Sequence, residues 1–445
     1  MSKIMHFIGI GGAGMSALAQ YALNKGDTVT GSDATSNEYT ELLQSKGATV
    51  FLGHNAKNLP PHADLCVVSA AISADNPELN KAKAEGIKII ERAEYLAEVF
   101  NGFKKSVAIS GSHGKTTTTA LVFCILQNAG ILPTLFLGGE YGKTGNFCDG
   151  SDICVAEACE YKGSFLKLSP DIAVVLNVDL DHTDCYPDKK SLIAAFDGFA
   201  AKVKSGGKVI IRADLKDELT VAGKNIVTFD VDKTADVTAK NLSHDGGKFC
   251  FDIYEKGEFK TRAKLSVAGR HNVFNALAAY CVCRDCGVSP TKIAEGLQKF
   301  EGVKRRFERF ESNFTNVIAD YAHHPTEISL LLDTVKRQGY KKIFVLFQPH
   351  TYSRTRDLYG DFCKCFCGAK KVYVLPVFSA REKYDKAGDS RRLVRGINRF
   401  LKARYVADFK TASRLIKKRA GKNDVVLVVG AGNVIDFCCR LYLDK

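Results

Sequence analysis

Gly111-Ser112-His113-Gly114-Lys115-Thr116 lies between β-prone residues, Val107 to Ser110, and a helical pattern that begins with Thr117. Strand, glycine loop, helix is the order a phosphate-gripping loop needs. Glycines let backbone N–H groups turn inward around an anion. A lysine puts a point charge on the β/γ-phosphates, a threonine hydroxyl can hold magnesium, and the helix N-terminus adds its own positive end. The first glycine of GxxxxGK[ST] is missing, because Ile109 stands there. The placement between strand and helix still predicts binding of a nucleoside triphosphate.

Two later apolar runs end in groups suited to the same chemistry. SDICVAEACE carries Glu157 and Glu160, and DIAVVLNVDLDHTD carries Asn177 to Asp184, with His182 among them. Acids at strand ends beside a phosphate loop can hold Mg²⁺ and orient it on phosphates. Near the N-terminus, Gly9-x-Gly11-x-x-Gly14 follows the strand-like KIMHFIGI and opens a helix, and Asp33 closes the next strand. This dinucleotide-binding fingerprint brings a phosphate-bearing ligand to a helix N-terminus. It does not name the ligand, so a nicotinamide-dependent oxidoreductase stays open. Ser69 and Ala70 fall at the carboxyl end of a strand, where ligands of open α/β sheets bind.

Further along, Asn272 and Asn275 share one face at the start of a helix. VKRRF, residues 303–307, is either a basic linker or a phosphate clamp. Asp320 ends a strand, and HHPTEISLLLDTV reads as a helix with proline in its first turn. His350, Ser353 and Arg354 lie just past another strand. An arginine fork suits a free carboxylate, and a neutral histidine such as His323 or His350 can take a proton near working pH.

The elements that must position these groups alternate strand and helix along most of the chain, the pattern of an α/β protein. A length of 445 residues exceeds one core and predicts about three domains. They are expected at 1–102, 103–302 and 303–445, with a hinge at Asn101-Gly102. The glycine-rich stretch from Gly138 to Gly150 reads as a loop beside the site. Residues 206–268 read as a β-rich insertion with little bearing on function.

Hydrophobic content of 45% and charged content of 25% fit a soluble globular protein. No apolar run approaches the roughly 20 residues of a membrane span. The start, MSKIMHFIGIGG, lacks signal-peptide architecture, so a cytoplasmic protein is expected. The net charge is +14, with cations that read as spread along the sequence and no nucleic-acid signature. A solvated basic surface, or cations serving anionic substrates, is expected in place of nucleic-acid binding. The 15 cysteines are irregularly spaced and read as reduced thiols, and Cys283-x-x-Cys286 has no partner pair for structural zinc.

Eight motifs in order, GIGGAGMSALA, GSHGKTTTT, EACEYKGSFL, NVDLDHTDCY, GRHNVFNALAA, GVKRRFE, DYAHHPTEI and FQPHTYSRT, together resemble the Mur ligase family of peptidoglycan synthesis. Many relatives read EADESDASF where this chain has EACEYKGSF, so Glu157 and Glu160 are kept while Cys159 is not an acid. The resemblance implies a Rossmann-like UDP-binding domain, a central ATPase domain and a Rossmann-like C-terminal domain for the incoming amino acid. It implies that the N-terminal glycine turn holds UDP rather than NAD, through Gly11, Gly12, Ala13, Gly14, Asp33, Ser69 and Ala70. The ATP residues it implies are Gly111 to Thr117, Asn272, Asn275, Arg306 and Asp320, with Arg305 a weaker candidate. Thr116 and Glu157 would hold one Mg²⁺ and His182 a second. Lys115, His182, His323, His350 and Arg354 would serve the chemistry. GSHGKTTTT, DYAHHP and FQPHTYSRT point within the family to a member with three small-molecule substrates, UDP-N-acetylmuramate, L-alanine and ATP. A monomer or weak homodimer is expected.

Overall fold

In the computed structural model, which describes residues 2–181, 185–221, 223–380 and 382–438, the strand–helix alternation builds three sheets. His182 lies outside the described residues. The first sheet is parallel throughout. Its strands, in spatial order, are Thr49–Leu52, Thr28–Asp33, Ile4–Ile8, Leu65–Val68 and Ile89–Glu91. The order reverses direction between Ile4–Ile8 and Leu65–Val68, which opens a crevice at their carboxyl ends. The glycine turn and Ser69-Ala70 both lie there.

A buried carboxylate braces this crevice from below. Glu78 and His6 are both fully buried. Glu78 accepts from Ser32 Oγ at 2.5 Å, the Asn55 amide at 2.9 Å and Asn58 Nδ2 at 2.7 Å, and it lies 3.1 Å from His6 Nε2. Burial pushes its carboxyl up, but the hydrogen bonds from His6, Ser32, Asn55 and Asn58 prevail and hold it down at about 2. A depressed carboxyl stabilises the fold above the ordinary value of about 4.3, and that contribution fades as pH falls toward 2. Glu78→Gln would set an amide N–H₂ against donors. We expect it to cost roughly 3 kcal/mol at pH 7, with a smaller difference from wild type as pH falls below 4. Thermal melts of both proteins across that range check this; a Tm difference unchanged with pH would contradict it.

The central sheet has ten strands. Its parallel part places Lys105–Ser110 between Ile172–Val175 and Ile153–Glu157. Gly138 to Gly150 is not a loop. Thr134–Tyr141 and Gly145–Cys148 form an antiparallel edge hairpin, and glycine is what lets it pack so closely. A Cβ at Gly138 would come within 3.0 Å of Glu157 Oε2, and one at Gly139 within 3.0 Å of Thr116 Cγ2. Residues 206–268 begin with two parallel strands, Lys208–Arg212 and Asn225–Asp230, and end in a three-stranded antiparallel meander that extends the sheet.

Asn101 is no free hinge. It donates to the Lys167 carbonyl at 3.4 Å and accepts from the Ser169 amide at 2.8 Å. A buried clamp ties the same two domains: Asn146 Nδ2 donates to Ala13 O and Ser16 Oγ, each at 2.7 Å, while Gln20 donates to Asn146 Oδ1 at 3.0 Å. One hydrophobic cluster runs through both domains, including Phe7, Leu18, Phe136 and Phe165.

The third sheet orders Glu308–Phe310, Asn316–Asp320, Val425–Val429, Ile343–Phe347, Lys371–Val374 and Ala403–Tyr405. All but the first run parallel, and its cores are separate from those of the other two domains. Among the described residues, no helix is long and apolar enough to cross a membrane.

Candidate active site

The helix Ala13–Asn24 starts at Gly12 with no side-chain cap and no acid in its first turn, which leaves the Ala13 and Gly14 N–H groups for a ligand in the crevice. Gly11 must be glycine here, because a Cβ would sit 2.9 Å from Asp33 Oδ2. Asp33 accepts the Gly11 amide at 2.9 Å, so one of its oxygens braces the turn.

The second glycine loop is built on the same plan. The strand runs on through Ile109 to Ser110, which is why no glycine is needed at 109. Gly111 takes φ +137° and Gly114 takes φ +86°. A Cβ on Gly111 would lie 2.9 Å from Leu176, and one on Gly114 would lie 2.6 Å from Asn275 Oδ1. The segment after Ile172–Val175 clamps the loop. Asn177 Oδ1 accepts the His113 amide at 2.8 Å and its Nδ2 donates to His113 O at 3.0 Å, while Ser112 Oγ donates to Asp179 O at 2.8 Å.

Lys115 Nζ lies 2.9 Å from Glu160 Oε2 and donates to Gly111 O at 2.5 Å. Burial works against its charge, but the Glu160 carboxylate outweighs burial and holds the ammonium up at about 12. Thr116 Oγ1 donates to Glu157 Oε2 at 3.2 Å, and the Gly138 amide donates to Glu157 Oε1 at 2.6 Å. Burial pushes the Glu157 carboxyl up, against the Gly138 hydrogen bond and the charges of Lys115 and Arg306. Thr116 and Glu157 are hard oxygen donors and fit Mg²⁺, an ion usually held by one or two carboxylates together with substrate phosphates. Among the described residues, no three His, Cys, Asp or Glu side chains cluster as an all-protein metal site.

Beside the loop is a cleft of about 190 Å³, lined by Gly114, Thr117, Asn272, Asn275, Arg306 and Asp320. Leu176, Phe229, Phe274 and Phe300 give it apolar walls suited to a flat base. Phe307, Thr326, Glu327 and Leu330 complete its lining, so the third domain forms one side of the nucleotide space. Asn275 Nδ2 donates to Asn272 Oδ1 at 3.0 Å, and Asn272 Nδ2 to Ala268 O at 2.7 Å. Asp320 accepts the amides of Phe307 and Ala322 at 2.8 and 2.7 Å. Arg305 and Arg306 divide. Arg305 turns into its own domain and donates to Gly432 O at 2.7 Å, whereas Arg306 lines the cleft.

Among the described residues, three polar contacts help carry the third domain onto the loop and the segment that clamps it, beside the packing of the His324 ring on His113 at 4.9 Å, and sequence reasoning missed Glu327, Asp181 and His324, one partner in each. Glu327, on the first turn of the helix Pro325–Lys336, approaches His113 Nδ1 at 3.2 Å and His323 Nδ1 at 3.6 Å, and accepts the amides of His323 and His324 at 3.0 and 3.2 Å. The other side of the His113 ring meets Asp179 at 3.2 Å, an ion-pair approach rather than an aligned hydrogen bond. Burial opposes the His113 charge, but Glu327 and Asp179 prevail and raise it to about 9. In the second contact, Asp181 is 2.9 Å from both Nε and Nη2 of Arg354, deeply buried on both sides. In the third, His324 Nε2 lies 3.3 Å from Leu180 O. The signal for Glu327 is S/T/N/D-like capping by His324 with an acid three residues later, a helix-start pattern whose second role the sequence does not display.

The remaining third-domain candidates gather here. The His323 and His350 rings meet edge to face at 5.8 Å, and Arg354 Nη1 lies 3.0 Å from His350 Nδ1. His323 Nδ1 is 3.0 Å from Tyr321 O. A carbonyl only accepts, so Nδ1 carries the proton and Nε2 keeps its lone pair. Burial is the main reason the His323 imidazolium is disfavoured, to about 4, against the pull of Glu327.

Residues 4–104 match the Mur ligase family catalytic domain, residues 109–283 the Mur ligase middle domain, and residues 305–432 the Mur ligase glutamate ligase domain. The chain belongs to the Mur ligase family, whose members use ATP. It is 42% identical over 98% of its length to a UDP-N-acetylmuramate–L-alanine ligase of Caldanaerobacter subterraneus, covering 96% of that protein. It is 39% identical to the ligase of the same name in Clostridium botulinum, covering 97% of this chain and 96% of the relative. The crystal structure of the UDP-N-acetylmuramate-alanine ligase of Thermotoga maritima superposes with a TM-score of 0.83 at 32% identity, over 99% of this chain and 98% of that one. A murein peptide ligase of Psychrobacter arcticus shares the fold, with a TM-score of 0.78 at 24% identity.

Proposed function

We propose that the protein joins L-alanine to the lactyl carboxylate of UDP-N-acetylmuramate, converting ATP to ADP and phosphate, in the synthesis of peptidoglycan precursors. The observation that carries this reading is the meeting of two chemistries in one cleft. The ATP loop of the central domain faces the His323, His350 and Arg354 group of the third domain, in a chain about 40% identical over nearly all its length to alanine ligases. Domain borders near 102 and 302 separate the three substrate regions. ATP and a sugar nucleotide are cytoplasmic compounds, so the cytoplasm is the compartment this chemistry requires.

The obstacle is electrostatic, because a carboxylate must approach a triphosphate. Lys115 supplies charge at the β/γ-phosphates, and Arg306 adds more from the domain border. Thr116 and Glu157 would hold Mg²⁺, which neutralises phosphate charge when bound. The amides of Gly12, Ala13 and Gly14 hold the UDP diphosphate, with Ser69 and Ala70 across the crevice and Asp33 on the nucleoside side. Asn272 and Asn275 flank the adenine, and Asp320 reaches the ribose.

The substrate carboxylate attacks the γ-phosphorus, ADP leaves, and an acyl phosphate forms. The alanine amine then attacks the acyl carbon, the nitrogen loses a proton, and the adduct expels phosphate. His323 Nε2, unprotonated at neutral pH, is positioned to take that proton, with His350 beside it. Arg354 binds the alanine carboxylate in place of Asp181, so amino-acid entry exchanges one carboxylate partner for another. Closure of the third domain keeps water from the acyl phosphate.

The test is phosphate release from ATP and UDP-N-acetylmuramate with L-alanine, glycine, L-serine or the murein tripeptide. The reading expects the highest kcat/KM with L-alanine. Turnover with the tripeptide alone would overturn it, as would tight NAD binding without UDP-sugar binding.

A further inference from the structure

The positive charge of the chain is not spread along it. Residues 303–445 hold 30 Lys and Arg against 14 Asp and Glu, a net +16, whereas residues 1–302 hold 33 against 35. All of the excess is therefore in the third domain.

Its topology gathers that charge on one edge. Four parallel strands of the third sheet are led by basic residues: Lys342 before Ile343, Lys371 at the start of Lys371–Val374, Lys402 before Ala403, and Lys422 shortly before Val425. Parallel strands share an amino edge. The returning helices end there too, which adds Arg399 and Arg419. Cations at helix C-termini are favoured by the dipole, but the strand-leading lysines have no such cause. The catalytic group, His350 and Arg354, follows the carboxyl end of Ile343–Phe347, at the opposite edge. These cations therefore cannot serve the triphosphate.

Among the described residues, no carboxylate pairs with Arg399, Lys402, Arg419 or Lys422. Burial, then the charges of Arg419, Arg404 and Lys402, push the Lys371 ammonium down, as a field of one sign requires. Between Arg399 and Lys402 in the chain, Phe400 is 57% exposed. Of the other rings near this edge, Tyr373 is fully buried and Phe314 lies under Lys417 at 5.9 Å. A single-stranded nucleic acid needs a row of open ring faces. One apolar tip flanked by cations is instead the arrangement of a peripheral membrane contact.

We propose that the amino edge of the third sheet is a docking surface for anionic phospholipid membrane, with Phe400 entering the headgroup layer and Arg399, Lys402, Arg419 and Lys422 meeting lipid phosphates. Docking there leaves the catalytic cleft on the far edge open to soluble substrates. The attraction falls with ionic strength, because exposed charges are screened beyond about 10 Å at 0.1 M salt.

Co-sedimentation of the full chain with phosphatidylglycerol/phosphatidylcholine vesicles, and with phosphatidylcholine vesicles alone, tests this. Binding is expected only to the anionic vesicles, weakening with salt. The triple variant K402E/R419E/K422E is expected to bind at least about tenfold more weakly while keeping its phosphate-release rate in solution. Phe400→Ser, at an exposed site, carries the same test should the triple variant fold poorly, and is expected to weaken binding at every salt concentration. No binding of wild type to anionic vesicles at low salt overturns the proposal, and so does equal binding by wild type and variants. Tight binding of a single-stranded RNA with no vesicle binding would assign the surface to nucleic acid instead.

Discussion

Lys115→Ala lowers ligase turnover by at least about 10³-fold, because the charge it removes sits where the triphosphate charge must be met before any carboxylate can approach. The structure adds a second consequence. Lys115 is the ammonium partner of Glu160, a carboxylate with 1% exposure. Alanine leaves that acid buried without its cation, a loss of roughly 3–5 kcal/mol where nothing compensates. The single variant is therefore expected to melt lower as well as to be inactive. Lys115→Ala combined with Glu160→Gln separates the two effects: stability returns toward wild type, and activity stays lost. Measured side by side, phosphate release and melting temperature check this. A double variant that regains both would mean that Lys115 acts only as a structural partner, and near-normal turnover in either variant would remove the loop from the chemistry.

Glu327→Gln is the second large effect. This one carboxylate touches His113 of the phosphate loop, approaches Arg306 at 3.9 Å, and holds the His323 and His324 amides. Burial opposes its ionisation, yet His323, charged only in the acid range where this carboxyl titrates, together with His113 and Arg306 holds it well below the ordinary carboxylate range. Glutamine keeps the shape and removes the charge. The third domain then loses its electrostatic grip on the loop, and kcat is expected to fall about 10²-fold, with a smaller change in KM for ATP. The pH dependence follows from His113. Its folded value, about 9, is raised above the ordinary 6.5. The contact is therefore complete below 6.5 and is lost as pH rises through about 9. Without the Glu327 charge, His113 keeps only Asp179, and the alkaline limb of the kcat profile should move to lower pH. An unchanged profile would show that the His113–Glu327 pair does not govern closure.

Much of this architecture can be read from residue order. The two glycine turns, the apolar strands before them and the acids at strand ends are local patterns, and each element forms where its own sequence says. Gly138 to Gly150 misleads because glycine usually marks a loop. Here its missing side chain lets the strand Thr134–Tyr141 approach Thr116 and Glu157. Asn101-Gly102 misleads in the opposite way. The composition suits a hinge, but Asn101 is bonded to residues 66 and 68 positions away. Glu327 and the Asp181–Arg354 pair are invisible for the same reason. Glu327 and Asp181 are an ordinary helix-start and loop residue, and Arg354 reads only as a binder of a free carboxylate, until the third domain folds over the second. The cations read as spread along the chain, although counting by domain places the whole excess after residue 302, and its collection on one edge needed the parallel sheet.

The most direct test of the central claim follows the oxygen atoms. UDP-N-acetylmuramate labelled with ¹⁸O in its lactyl carboxylate is turned over with ATP and L-alanine, and the released phosphate is weighed by mass spectrometry. Attack of the carboxylate on the γ-phosphorus, followed by C–O cleavage, carries one ¹⁸O into each phosphate. Unlabelled phosphate, or label in AMP, would contradict an acyl phosphate formed at the Lys115 loop.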